Sequence, residues 1–250
     1  TTPPPSPARK GRRTLPGMVL LSMLPLLSCS FVPAVSMVPI QRTVAPIVVM
    51  AAAPKLQDAA EAKATDALLL EVAKPERSLE AIATHARTLE SIALPTTLGK
   101  QKRALDSAWK LEYAADEAAV APFLSGPTGP FAVVEGVVQR FKGTGEFASI
   151  EVRRNFGPFG QNSKIALCGR WSIEGDQMRW KPSYMIDERG REVDPPAGAG
   201  VAEARLTHVS ARTLLMRIPA ASADSLLVFS KVKLKDALEE LKVDADDLVI

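Results

Sequence analysis

The spacing of apolar positions along the chain changes near Ala108, and the change separates two kinds of structure. From Leu56 to Ala73, the residues Ala59, Ala62, Ala67 and Leu70, with the Leu68–Leu69 pair, recur at helical spacing in an alanine-rich segment, which predicts a helix. Lys74-Pro75 ends it, and Pro75 suits the first turn of a following helix, where its missing N–H is no loss. Leu79, Ile82, Ala83, Ala86, Leu89, Ile92 and Ala93 then repeat at three and four, predicting a second amphipathic helix that stops before Pro95. Residues 51–103 are therefore expected to form a helical hairpin, with Thr96 to Lys102 as a polar connector.

Beyond Ala108 the period is two. Trp109, Leu111 and Tyr113 alternate with Lys110 and Glu112, as a half-buried strand requires. Phe131–Phe141, Glu146–Arg153, Lys164–Glu174 and Gln177–Asp187 follow, then Val201–Val209, Arg212–Ile218 and Ser225–Val232. Turn formers such as Gly143-Thr144-Gly145 and Gly175-Asp176 separate them, and Pro122–Pro130 and Asp194–Gly200 read as loops. Parallel strands need crossovers of a dozen or more residues, which this stretch lacks. The expected fold is mainly β with N-terminal helices. Residues 104–232 should form an antiparallel sheet of about eight strands, closed or nearly closed into a barrel. In residues 233–250, Lys233 to Lys242 reads as a short helix and Val243 to Ile250 as a tail.

Residues 1–50 read as an address in two parts. Met18 is taken as the start, and Met18 to Leu27 is an apolar run followed by Ser28-Cys29-Ser30, small residues suited to a signal-peptidase site. Phe31-Val32-Pro33-Ala34 resembles the junction of bipartite presequences in algae with secondary plastids. Residues 34–50 carry hydroxyls, one Arg and no acid, as transit peptides do, and a second cleavage is expected near Met50-Ala51. The competing reading is a membrane anchor over the charge-free Leu15–Ile40, against which Pro16, Pro25, Pro33 and Pro39 argue.

Charge adds a second boundary at the same place. Arg9, Lys10, Arg12, Arg13 and Arg42 supply the basicity of residues 1–50; removing those five from 31 basic residues leaves 26 against 28 acidic ones, or −2 for residues 51–250. A nucleic-acid partner calls for clustered cations on the folded part, so none is expected. Cys29 falls in the leader, and Cys168, alone in the remainder, reads as a small buried hydrophobe.

The stretch Leu105-Asp106-Ser107-Ala108-Trp109-Lys110-Leu111-Glu112-Tyr113 is similar to the opening of the barrel domain in the plastid lipid-associated (fibrillin) family. There a Leu-Asp-Gly, one residue, a Trp, a basic residue, a Leu and a Tyr begin the first strand; Ser107 replaces the Gly. Val137-Val138-Gln139-Arg140-Phe141 resembles the family's apolar-Gln strand. Arg217-Ile218, followed by Leu226-Leu227-Val228-Phe229-Ser230-Lys231, resembles its terminal hairpin. The family's Arg-Gly after that Ile reads Pro219-Ala220 here, and its upstream Leu-Asp reads Val209-Ser210. The resemblance implies a lipocalin-like barrel in a plastid, stromal or thylakoid-associated. Such a barrel carries a prenylquinone, carotenoid or fatty-acid-like molecule, in peripheral contact with thylakoids or lipid globules. Docking on a photosynthetic complex as a structural or assembly protein is the alternative.

The residue chemistry favours binding over catalysis. An eight-stranded barrel can hold one small apolar ligand between apolar walls with a few orienting polar groups, and carriage asks for a cavity above about 300 Å³. The candidate ligand-binding residues are Trp109, Leu111, Tyr113, Gln139, Phe141, Trp180 and Arg217, with Phe147, Trp171 and Tyr184 as further candidates for the lining. The competing reading is that the same aromatics simply fill a core, and Gln139 and Arg217 can face either the interior or the outer surface. His85 sits beside Arg87 and Glu90 on a polar helix face, and His208 lies in a strand with no obvious acid or nucleophile partner. Two His and one Cys so widely spaced form no metal pattern. Gly157-Pro158-Phe159-Gly160 lacks the strand–glycine–helix setting of a phosphate cradle, and Asp244-Ala245-Asp246-Asp247 reads as a solvated tail. No catalytic residue, metal or cofactor is expected.

Overall fold

The computed structural model describes residues 54–243 apart from 93, 95–96, 127–131, 157–159, 198 and 220–224, and only the backbone of residues 54–57. The presequence, the acidic tail and most of the Gly157–Gly160 loop lie outside the described residues. Three helices come first: α1 (Pro54–Ala73), α2 (Leu79–Glu90) and α3 (Leu98–Leu105). The segment expected to be a polar connector is thus largely helical. The buried residues of α3 are Gln101 and Leu105, too few apolar positions to give a periodic signal.

The strands follow as β1 (Ser107–Ala114), β2 (Ala132–Phe141), β3 (Glu146–Asn155), β4 (Asn162–Glu174) and β5 (Gln177–Ile186). Then come β6 (Glu192–Val193), β7 (Ala202–Val209), β8 (Thr213–Ile218) and β9 (Ser225–Val232). A short helix α4 (Glu117–Val120) and a 3₁₀ turn (Ala121–Phe123) stand between β1 and β2, and α5 (Leu234–Glu240) ends the order. All pairings are antiparallel, and the β4–β5 and β1–β9 pairings close eight strands into a lipocalin-like barrel, with β6 an added strip on β5. Apart from the closing β1–β9 pair, neighbours in the barrel follow one another in the chain; the β2–β3 and β4–β5 connections are tight turns, and Gly145 takes φ 92° in the first, a conformation glycine adopts without strain.

Both faces of the wall are buried in places, which is why helices matter here. Leu68 of α1 and Ile82 and Leu89 of α2 pack on Leu215, Leu226 and Val228, whose side chains leave the barrel outward. Each such burial is worth roughly 1.5–3 kcal/mol. Ser78 caps α2 by accepting from the Ala81 N–H at 3.2 Å, and Glu90 at its far end holds Arg217 through two bonds of 2.7 and 3.0 Å. On another side, α5 covers Val138, Ile150, Val152 and Ala166. Gly136 admits it closely: a Cβ there would stand 2.9 Å from Leu241 Cδ1. No helix among the described residues is long and apolar enough to cross a membrane.

Candidate functional site

One end of the barrel, the base, is sealed. Leu105 of α3 enters the inner core beside Trp109, Phe141, Phe147 and Trp171, and the Gln101 side chain donates to the Gly175 carbonyl on the β4–β5 turn at 3.1 Å. The polar atoms of these large side chains are satisfied: Trp109 Nε1 donates to the Leu105 carbonyl and Trp171 Nε1 to the Lys142 carbonyl, each at 3.0 Å.

The opposite end, the mouth, is different. A cavity of about 650 Å³ opens there. Its walls are Leu167, Pro182, Ala202 and Ile218 from four strands, and its rim is Pro196, Ala197 and Ala199–Val201 on one side and Ala121, Pro122 and Leu124 on the other. The Pro- and Gly-rich rim contributes little side-chain bulk, which leaves the space open.

The second rim belongs to a strap, residues 117–126, that bends from the end of β1 into the barrel. Asp116 starts it by capping the Ala119 N–H at 2.7 Å, and it also holds Ser225 Oγ. These bonds keep the Asp116 carboxyl below the usual carboxylate range. Phe123 is driven into the core, where it stacks on Trp180 at 4.7 Å and meets Phe229 edge-on at 6.2 Å. Facing the strap is a polar stripe on the inner side of β3. Ser149 Oγ donates to the Phe123 carbonyl at 2.6 Å and accepts from Gln139 Nε2 at 2.7 Å. Glu151, 1% exposed, accepts from the Ser125 N–H and Oγ–H and from Arg153 Nε. Arg153 also donates to Ser125 Oγ and the Gly126 carbonyl. Two buried polar atoms near this stripe and ring pair find no partner among the described residues: Gln139 Oε1 and Trp180 Nε1.

Of the seven candidate residues, Trp109, Leu111, Gln139, Phe141 and Trp180 face or pack against the inner core. Tyr113 and Arg217 do not. Simple alternation puts Tyr113 on the same side as Trp109 and Leu111, but a bulge between Leu111 and Tyr113 turns it outward against the helices. Arg217 alternates with Met216 and Ile218, which point inward, so it points out to Glu90. Both line an outer groove of about 490 Å³ beside α2. None of the seven is among the residues around the mouth cavity. Phe147 and Trp171 face inward, whereas a bulge at Cys168/Gly169 turns Tyr184 outward toward the cluster under α5. The residues missed were Leu124, Leu167, Pro182, Ala202 and Ile218; the available signal was the Pro- and Gly-rich segment 194–200 beside a strand start.

Cys168 is buried on that outer side, and burial pushes its thiol up to about 11. His208 is buried beneath the helical hairpin, 3.6 Å from Glu61. Its pKa is lowered by burial, against the opposing pull of a backbone bond to Leu89 and of Glu90. Neither residue reaches the mouth.

No protein-family model and no curated protein matches the chain. Among solved structures, a lipocalin-like protein from Bacteroides uniformis ATCC 8492 is similar over 52% of this chain and 99% of that one, with 16% identity and a TM-score of 0.30. The strand pairing itself carries the fold: eight antiparallel strands in chain order, closed on themselves, with helices outside and at the base.

Proposed function

We propose that this chain is a plastid lipid-associated protein of the fibrillin type that carries a small hydrophobic molecule in the mouth of its barrel and performs no catalysis. The observation that supports carriage is the 650 Å³ cavity with walls of Leu167, Pro182, Ala202 and Ile218. A volume of that size suits a small ligand or the ring end of a longer one, with any chain trailing over the rim. In this reading residues 1–50 direct the protein to a plastid, and it works in peripheral contact with thylakoids or lipid globules.

A second reading, a structural or assembly protein docked on a photosynthetic complex, draws support from the base and middle of the barrel. There Trp109, Phe141, Trp171, Phe123 and Trp180 fill the interior with side chains.

Protein purified gently from plastids and examined by native mass spectrometry and solvent extraction separates the two. Carriage predicts a stoichiometric prenylquinone, carotenoid or fatty-acid-like adduct. Empty protein that follows a photosystem through high salt contradicts carriage and supports the scaffold.

A further inference from the structure

The inner face of β3 is unusual for the wall of a barrel. Phe147 continues the aromatic core, but the next inward positions are Ser149, Glu151 and Arg153, while the outward positions Ala148, Ile150 and Val152 are the apolar ones. Polar and charged groups in an interior are retained only when paired. Beyond one another and Gln139, the hydrogen-bond partners of these three side chains are atoms of the strap: the Phe123 carbonyl, the Ser125 N–H and hydroxyl, and the Gly126 carbonyl. The strap satisfies this lining only in part, since Gln139 Oε1 and Trp180 Nε1 have no partner among the described residues. It offers the barrel a flat ring on Trp180, and one hydroxyl that donates to Glu151 Oε2 and accepts from Arg153 Nη2.

We propose that strap residues 121–126 occupy an inner ligand site as a built-in substitute, and that the ligand displacing them is a neutral ring alcohol. Its ring takes the place of Phe123 on Trp180, and its hydroxyl takes the place of Ser125 Oγ between Glu151 and Arg153. The inference rests on the carrier reading and names the class of head group. Glu151 and Arg153 are 2.6 Å apart and compensate each other. A carboxylate arriving there would meet Glu151 without a spare cation, whereas a hydroxyl answers both partners at once, as Ser125 does. The unpartnered Gln139 carbonyl oxygen and Trp180 N–H leave further hydrogen-bonding capacity for substituents on the ring.

The test uses the full chain and three probes followed by tryptophan fluorescence and calorimetry: 2-naphthol, 2-naphthoate and 1-dodecanol. The variant Phe123→Ala vacates the ring position, and Ser125→Ala releases the Glu151–Arg153 pair while leaving the ring in place. Phe123→Ala is expected to bind 2-naphthol at least tenfold more tightly than the unaltered chain and at least tenfold more tightly than it binds 2-naphthoate. Ser125→Ala is expected to gain several-fold for 2-naphthol, and it decides the matter if Phe123→Ala does not fold. Unchanged 2-naphthol affinity in the folded variants, or equal affinity for 2-naphthoate, overturns the inner site. The alkyl probe keeps the two claims apart. Saturable 1-dodecanol binding with no 2-naphthol gain removes the inner site and leaves carriage standing. A 2-naphthol gain without 1-dodecanol binding supports the inner site and removes the mouth cavity as a carrier. Loss of both removes both.

Discussion

The base and the mouth of this barrel are built from the same eight strands, yet only the base is finished as a core. At the base the inward positions hold Trp109, Phe141, Phe147 and Trp171, α3 plugs the opening, and both indole N–H groups there are bonded. Toward the mouth the inward positions of β3 are Ser149, Glu151 and Arg153 and the covering element is a short strap; where the strap meets the aromatic core, Trp180 Nε1 and Gln139 Oε1 find no partner among the described residues. In the carrier reading, stability and binding are served by opposite ends. The base supplies close packing, and the mouth forgoes some of it to keep space and polar groups available.

The contrast can be broken most severely at the base. Trp109→Ala removes a fully buried indole and its bond to the Leu105 carbonyl, and should cost about 3–5 kcal/mol in denaturant unfolding; a cost under about 1 kcal/mol would mean that the base is not the core. Gly169→Ala comes next. A Cβ there would run into the Lys181 carbonyl and stand 2.8 Å from Pro182 Cα, where the bulged β4–β5 pair closes the barrel. A loss of about 3 kcal/mol is expected, at the top of the range for overpacking. Arg217→Met leaves the interior alone and frees Glu90 at the end of α2. Both partners are mostly buried but not sealed from water, so about 1 kcal/mol is expected. Faster amide exchange should be confined to α1 and α2.

The smallest effect concerns pH. The neutral form of His208 is favoured when folded, because burial lowers its pKa. The unfolded chain takes up a proton near pH 6.5, before the folded chain does, so stability should fall as the pH drops from 7 toward 6. Glu61, whose pKa is raised by burial and by Asp58, acts in the opposite direction, but only nearer the carboxylate range. Denaturation midpoints at pH 7 and pH 6 check the sign, and His208→Gln should flatten the slope.

Much of the fold was legible because alternation and turn residues are local. The strand runs, the helical hairpin and an antiparallel barrel, closed or nearly closed, all follow from period and spacing. What escaped was parity and cover. A single extra residue in a strand reverses the facing of everything beyond it, so the bulges at Leu111/Tyr113 and Cys168/Gly169 sent Tyr113 and Tyr184 outward. On β3 both faces are buried, because α5 covers the outer one, so hydrophobicity alone does not reveal that Ile150 faces out and Glu151 in. The strap left no periodic trace. Its only cues were Asp116 as a helix cap and an isolated Phe123 after a proline.

Carriage requires that the mouth cavity hold a hydrophobic molecule. Calorimetric titration of 1-dodecanol into the full chain and into Ala202→Phe, which fills the cavity from its wall, tests it most directly. Saturable one-site binding is expected, weakened at least tenfold in Ala202→Phe while the melting temperature stays within a few degrees. Equal affinity in the two proteins, or no saturable binding to either, would contradict it.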